Sequence, residues 1–248
     1  RAYNTTYKYH LAEFGFSDVW YKNLRFGLGL RFEYYKYKDF LFKKPELTGL
    51  DVESEHFLSY FAQVYYSTFD KGYFPSKVTK FKAAHSLYTD NMAQYNDHAP
   101  FSALSGSWAS VVPVTRRFSI IPSIYGRVLI GKDIAYPLQN AIGGEVYGLY
   151  IPQQLPFAGV TNMELMDNSI MIASVKLRQR MGSIHYLTLT GNYGLTDSHF
   201  FEILKGKQLF GISAGYGMDS MFGPLEITFG YSNQTDKGSC YVNLGYYF

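Results

Sequence analysis

Large apolar residues occupy every second position between residues 24 and 34, and small, polar or charged residues lie between them. A period of two is typical of a β-strand whose two faces meet different surroundings, whereas a helix would scatter the same side chains around its axis. The apolar positions are Leu24, Phe26, Leu28, Leu30, Phe32 and Tyr34, and the intervening ones are Arg25, Gly27, Gly29, Arg31 and Glu33.

The same alternation recurs along the chain and predicts eleven strands and no helix. The clearest strands begin near residues 24, 58, 118, 168, 185, 207, 224 and 239, and weaker ones are expected over 4–16, 77–89 and 102–114. The fold class is therefore all-β, with consecutive strands running antiparallel in an up-and-down order.

Two architectures contain alternating strands: a soluble sandwich, and a membrane barrel that turns its apolar face to lipid. Three features favour the barrel. The strands run for about ten residues, which is the length that a tilted strand needs to cross a bilayer. The polar face is rich in Gly, Ser, Thr and Tyr, and aromatic residues cluster near the strand ends, where interfacial girdles lie. We therefore predict a transmembrane β-barrel in the bacterial outer membrane, in contact with its lipid.

Composition narrows the alternatives. Charged residues are 17% of the chain and aromatic residues 19%, a composition that excludes disorder. Cys240 is the single cysteine, so no disulfide forms within the chain. No run of about 18 apolar residues predicts a membrane-spanning helix. A net charge of +3 without a basic block gives no electrostatic footprint for nucleic acid.

The predicted connections alternate between short and long. Short ones are expected at 17–20, 70–76, 115–117, 182–183 and 219–223, and long ones at 38–55, 89–100, 131–162 and 197–207. Short turns of such barrels face the periplasm, so the chain ends on that side. Counting back through eleven strands places the first residue at the outer face, although bacterial barrels begin in the periplasm with an even number of strands. We therefore expect at least one strand to precede Arg1.

Charged residues on the inner face have two interpretations. They are Arg25, Arg31, Arg127, Lys176, Arg178, Arg180 and Glu226. One interpretation is an electropositive channel. The other, which we favour, is ion pairing with Glu33, with Glu226 or with a loop that fills the lumen, because charges inside a closed barrel need partners.

Motifs for catalysis and metal binding are weak. Residues 211–215 match Gly-x-Ser-x-Gly, but this motif continues an alternating strand, whereas a nucleophile elbow needs a strand–turn–helix. Catalysis by Ser213 is therefore not expected. The six histidines show no metal-ligand spacing, and we predict neither a metal site nor a cofactor.

The long connection after residue 131 is too rich in Gly and Pro for a strand and too apolar for a loop tip in water. Its apolar residues need burial, and the simplest place for residues 132–160 is the barrel lumen. The residues on which we base this are Gly143, Gly144, Val146, Tyr147, Gly148, Tyr150, Pro156 and Phe157.

These residues carry a family resemblance. Gly143-Gly144 followed by Val146-Tyr147-Gly148 resembles the lumen-inserted loop of BamA-like surface-antigen barrels, the outer-membrane assembly superfamily, in which five strands follow a Val-Arg-Gly-aromatic core. Five predicted strands also follow here. The C-terminal residues Val242, Leu244, Gly245, Tyr246 and Phe248 resemble that superfamily's closing strand, and residues 70–75 resemble its periplasmic aromatic-Pro turn. The whole chain, 1–248, is then one barrel domain.

The resemblance has one departure, because Tyr147 replaces the loop arginine that pairs with acidic residues of the barrel wall in the family. The sequence of residues 143–157 is most similar to the sequences of barrels fused behind a patatin-like phospholipase. If the family has sixteen strands, this chain holds the last eleven. The resemblance also implies two partners. One is the barrel assembly machinery, which would recognise Tyr246 and Phe248, and the other is a set of periplasmic POTRA-type modules.

Three functional hypotheses follow. The first is a barrel that inserts or translocates proteins, or that anchors and exports a fused phospholipase domain, with no covalent chemistry of its own. The second is a passive porin-type channel for small solutes. The third, an enzyme within the barrel that uses Ser213, is the least favoured.

Overall fold

Eleven long antiparallel strands form the wall of the molecule. The computed structural model describes residues 3–42, 55–68, 74–95, 97–148, 151–160, 165–235 and 237–245. The strands are β1 Tyr3–Tyr21, β2 Leu24–Phe42, β3 Glu55–Ser67, β4 Thr79–Thr89, β5 Phe101–Ser110, β6 Val112–Pro113, β7 Phe118–Ile130, β8 Asn140–Ile142, β9 Gln154–Leu155, β10 Leu165–Asp167, β11 Ser169–Met181, β12 His185–Asp197, β13 Lys207–Ser220, β14 Gly223–Ser232 and β15 Gly238–Leu244.

The main sheet follows the order of the chain. Its strands pair in the order β1-β2-β3-β4-β5-β7-β11-β12-β13-β14-β15, and the short β6 adds to β7 beyond the end of β5. Every pair is antiparallel, and β1 and β15 are the two edges of the described sheet. The predicted all-β, up-and-down fold with eleven wall strands is confirmed.

Burial alternates along the strands as the sequence pattern predicts. On β11, Met171 and Val175 are exposed on one face, while Ile170 and Ile172 on the other face are buried. The same holds on β2, where Leu28 is exposed and Glu33 is buried. The apolar half of each strand therefore covers the outside of the sheet, and the inside is covered by other parts of the chain.

The first hairpin is longer than the sequence suggests. β1 and β2 each contain 19 residues, and their turn is formed by Lys22 and Asn23. The predicted turn at 17–20 is wrong, because Ser17 and Asp18 remain paired with Gly27 and Phe26 in the ladder. The length of this hairpin is set by cross-strand pairing. Its turn places Lys22 at a φ of 32°, a positive value that residues other than glycine rarely adopt, so the sequence gives no sign of a turn there.

The connection between β7 and β11 contains a second, small sheet. β8 pairs antiparallel with β10 and parallel with β9. Two short 3-10 helices, Tyr136–Leu138 and Phe200–Lys205, lie in connections, and the described residues contain no α-helix, in agreement with the predicted all-β fold. In the described part of the chain, no helix is long and apolar enough to cross a membrane.

Candidate functional site

Residues 132–160, here called the inserted segment, contact both ends of the main sheet. Gln153 Nε2 donates a 2.8 Å hydrogen bond to the Tyr35 hydroxyl on β2. At its other end, the backbone of Gly159 lies against Tyr231 and Gly230 on β14. One segment can contact strands near both ends of the strand order only if the sheet curves around that segment. The inserted segment therefore lies on the concave inner face of the sheet.

The first end of the inserted segment is held by hydrogen bonds. Arg127 Nη1 on β7 donates to the Leu138 carbonyl at 2.7 Å and to Asn140 Oδ1 at 2.6 Å. Asn140 Nδ2 in turn donates to the carbonyls of Arg127 and Asn168, each at 2.8 Å. Asn140 is completely buried. This arrangement, here called the anchor, satisfies buried polar groups at the point where the chain leaves the wall.

Gly143 and Gly144 directly follow β8 in the inserted segment. Gly144 has a φ of 72°, a left-handed conformation that glycine adopts without strain. The amide of Gly143 donates to Leu155 O at 3.0 Å, and the amide of Phe157 donates to Gly144 O at 3.0 Å. Gln154 Nε2 also donates to Gly143 O. The two glycines therefore continue the parallel pairing of β8 with β9 and hold residues 155–157 beside them.

The second end of the segment rests on three glycines, Gly194, Gly211 and Gly230, which we call the glycine floor. A Cβ atom at Gly211 would lie 2.2 Å from Ala158 O and 2.7 Å from the Phe157 ring. At Gly230 it would lie 2.7 Å from Gly159 N. No side chain fits at the distances found for Gly211 and Gly230, and a Cβ at Gly194 would press on the Phe157 ring, so the floor depends on glycine at these positions of three neighbouring strands.

Phe157 is the side chain that fills this floor. Its ring is 1% exposed and packs in a cluster with Ile142, Ile170 and Leu209. A Cβ at Gly194 would come within 3.0 Å of the same ring. The ring therefore occupies a notch between β12 and β13, and this is the burial that the apolar sequence of the segment requires.

A second apolar cluster lies between the start of the segment and β2 to β5. Leu138, Tyr35, Phe57, Tyr88, Tyr95 and Phe101 form it. Beside it, Glu33 Oε1 accepts hydrogen bonds from the hydroxyls of Tyr9 at 3.0 Å and Tyr35 at 3.1 Å. The buried carboxylate is thus partnered by tyrosine, and Tyr35 connects it to Gln153 of the inserted segment.

The middle of the segment faces the inner charges. Tyr147 is 51% exposed, and its ring meets Tyr125 edge-on at 5.1 Å. Burial raises the pKa of the Glu145 carboxyl, Glu226 adds to that rise and Lys176 opposes it. Glu145 therefore lies close to charges of both signs on β11 and β14. Val146 is half-buried and Tyr150 lies outside the described residues.

The predicted inner charges do not form one ladder. Arg31 makes a 3.0 Å ion pair with Glu13, not with Glu33, and lies over the Phe61 ring. Arg127 belongs to the anchor, and Arg180 at the rim donates to Gly182 O at 3.1 Å. Arg25 is exposed and Glu226 is half-buried.

Arg178 is buried at the opposite end of the inner face from the anchor. It donates to the carbonyl of Pro75 in the β3–β4 connection and lies over the Tyr186 ring. The Phe74 ring stacks on Tyr186 with 4.1 Å between centroids. This connection therefore covers part of the inner face near the short turns, and residues 69–73 of it lie outside the described residues.

The last described strand, β15, lies at the edge of the described sheet. Val242 and Leu244 on β15 are 56% and 80% exposed, and Gly245 takes a φ of 93°. β15 pairs with β14 on one side, and no described strand pairs with its other side. Tyr246 and Phe248 lie outside the described residues.

Two chemical motifs have ordinary surroundings. Ser213 is 3% exposed in the middle of β13, on the inner face, and not on a strained turn. The potential metal-ligand atoms of Asp197, His199 and Glu202 lie within 4.8 Å of one another at the second 3-10 helix. Asp197 Oδ1 accepts a hydrogen bond from the backbone amide of His199.

Sequence reasoning missed the glycine floor and the anchor. The signal for the floor was present, because Gly211 and Gly230 fall on the inner face of strands whose outer face is apolar, but only the path of the segment gives them a role. Arg127 was predicted to lie on the inner face, yet its partner Asn140 carried no pattern of its own.

Comparisons with known proteins agree with this architecture. The family model of the OMP85 superfamily matches residues 3–248. A crystal structure of BamA from Haemophilus ducreyi lacking POTRA domains 1–3 has a similar fold, with a TM-score of 0.67 and 9% sequence identity. The similarity covers 97% of this chain and 53% of that one, so the chain spans about half the length of this relative. No curated protein matches. The chain belongs to the OMP85 superfamily and is a bacterial outer-membrane β-barrel whose fold is similar to that of BamA.

Proposed function

We propose that this barrel inserts or translocates other proteins and that its lumen is kept closed by the inserted segment. The observation that carries the proposal is the double attachment of the segment, by the anchor on β7 and by the glycine floor on β12 to β14. A segment held at both ends seals the barrel while the wall remains free to act on substrates. A barrel of this superfamily is not itself an enzyme, and the work is done by its strands.

One further feature supports a role for the wall. Val242 and Leu244 give β15 a lipid-facing apolar side. The partners we propose are outer-membrane lipid, the barrel assembly machinery and POTRA-type modules.

The passive porin is less well supported, because three of the inner arginines are engaged. Arg31 pairs with Glu13, Arg127 holds the inserted segment, and Arg178 holds the β3–β4 connection. A charged constriction of a channel needs side chains that face water. Anchoring of a fused patatin-like phospholipase rests on the sequence resemblance of residues 143–157, and it remains compatible with a sealed barrel.

The direct test measures insertion activity. The protein is reconstituted into liposomes, and the folding rate of a urea-denatured eight-stranded barrel is recorded. We expect folding at least several-fold faster than in protein-free liposomes, and no acceleration would contradict the insertion role. Secretion of a phospholipase domain in cells that carry the barrel, without effect on barrel folding, would instead establish the anchor.

A second measurement addresses closure of the lumen. In planar bilayers we expect the intact protein to conduct little and the variant that lacks residues 140–157 to form large, stable pores. Gly211→Val serves as a full-length alternative, because it displaces the segment without deleting it. Equally high conductance of all three proteins would support the porin.

A further inference from the structure

We propose that the outward face of β1 to β3 binds the phosphorylated headgroup of an outer-leaflet lipid. The site consists of Lys8, His10, Tyr34, Lys36 and His56, here called the outer basic patch. All five residues lie on the face of the sheet opposite to the buried Glu33 and Tyr35, because side chains alternate along a strand. The inference is independent of the insertion role.

The strand register brings these residues together. Lys8 pairs with Lys36 and His10 pairs with Tyr34 across β1 and β2. Tyr34 pairs in turn with His56 on β3. Directly opposed side chains on one face have Cβ atoms about 5 Å apart, and the rings of His10 and Tyr34 are 5.9 Å apart between centroids. The patch is therefore one compact group on three adjacent strands.

The lysine pair is unusual in its surroundings. Two like charges directly opposite each other on a sheet destabilise it unless something neutralises them. In the described part of the chain neither Lys8 nor Lys36 has an acidic partner, and the two recorded ion pairs lie elsewhere. An anion between the two ammonium groups would replace repulsion by two charge-assisted hydrogen bonds.

The height of the patch fits a lipid headgroup. Tyr34 follows Leu24, the first residue of β2 beside the periplasmic turn, by ten positions. At about 3.3 Å per residue and a tilt of about 40°, that path rises about 25 Å, the height of the apolar band of an outer-membrane barrel. The row of His10, Tyr34 and His56 then lies at the exterior interface, and the two lysines lie just above it.

Four other strands differ at the exterior rim. The outward-facing residues near the exterior ends of β4, β7, β11 and β14 are Leu87, Ile130, Met171 and Tyr231. A general aromatic girdle would distribute its polar residues around the barrel. The concentration of ammonium and imidazole groups on β1 to β3 instead selects one kind of neighbour there, an anionic headgroup whose acyl chains lie along Leu28, Leu30 and Phe32.

The experiment compares two lipids that share acyl chains and differ in one phosphate. Native mass spectrometry counts phosphatidate or diacylglycerol bound to the full protein in mixed micelles, over a range of lipid concentrations. We expect one phosphatidate to bind at least about tenfold more tightly than diacylglycerol, since charge-assisted hydrogen bonds are among the stronger ones.

The variant Lys8→Gln/Lys36→Gln should lower phosphatidate affinity by about tenfold. The control Lys22→Gln/Lys132→Gln removes the same charge from the periplasmic turn and from the rim beside β7, and should leave affinity unchanged. His10→Phe/His56→Phe keeps an aromatic ring but removes the ring nitrogens, and should cost less affinity than the lysine change.

Three results would overturn the proposal. Equal binding of the two lipids would show that the patch acts only as part of an aromatic girdle. An equal loss of phosphatidate affinity in the control variant would show that only the net charge of the protein matters. Displacement of phosphatidate by millimolar inorganic phosphate would make it a site for free phosphate.

Discussion

Arg127 and Gly211 hold opposite ends of the inserted segment, and they do so through different forces. At the anchor, a guanidinium donates to Leu138 O and to Asn140 Oδ1, and a buried amide completes the network. Near the glycine floor the wall contributes one short hydrogen bond, which the Tyr125 hydroxyl donates to Pro156 O at 2.7 Å. Contact there depends on the absence of side chains from Gly194, Gly211 and Gly230, which lets the Phe157 ring and the backbone of 158–159 approach closely.

The difference determines how each end responds to change. A hydrogen-bonded anchor tolerates adjustments of shape as long as donors and acceptors remain paired. A close-packed floor has no room for an added side chain, because the nearest atoms belong to the backbone and cannot move aside as a flexible side chain can. We therefore expect added volume to harm the floor, and lost polarity to harm the anchor.

The largest expected effect is that of Gly211→Val. Its Cβ would collide with the backbone of Ala158, so the segment has to lift, at a cost of more than about 3 kcal/mol of unfolding free energy. Urea unfolding in liposomes measures the loss. Gly191→Val is the matched control, since a Cβ at Gly191 on β12 meets nothing within 4 Å. If both variants are equally stable, the floor does not depend on the absence of side chains.

The second effect concerns the anchor. Arg127→Leu leaves Leu138 O and Asn140 Oδ1 buried without their donor, and we expect a loss of about 2 kcal/mol. A double-mutant cycle with Asn140→Ala should show strong coupling between the two positions. Arg116→Gln, at an exposed turn, is the control. Additive single effects would show that the two side chains act independently.

The smallest effect concerns the middle of the segment, where neither end's contacts reach. The pKa of Glu145 is raised, so the folded state binds its proton more tightly than the unfolded state does. Stability then falls as the pH rises from the ordinary carboxyl range through the raised value. Glu145→Gln should remove this fall and be slightly more stable than the wild type at neutral pH. The same unfolding assay between pH 4 and 8 checks it, and parallel pH profiles would contradict it.

The strands of the wall could be predicted from sequence alone, because the alternation that marks each strand lies within that strand. The predicted starts near 168, 185, 207, 224 and 239 fall within one residue of β11 to β15. Each lipid-facing strand needs apolar residues at alternate positions, so every strand carries its own signal. The end of the first hairpin was missed because its turn consists of Lys22 and Asn23, which lack the Asn-Gly type of signature.

The contacts of the inserted segment could not be predicted because they join distant parts of the chain. The pairing of Ala141 with Gln154 involves strands of two or three residues that have no room for alternation. The glycine floor draws one residue from each of three strands, and Arg127 meets Asn140 across a turn of irregular backbone. Such arrangements arise from the path of the segment through three dimensions, which no local pattern records.

The glycine floor also sets the order of events during folding. The segment leaves the wall after β7, but its seat includes Gly230 on β14, which follows Phe157 by 73 positions in the chain. The seat is complete only when β12, β13 and β14 have paired. While those strands assemble, Phe157 has no notch to fill and the interior stays accessible to water, so sealing is a late step that reports completion of this side of the wall.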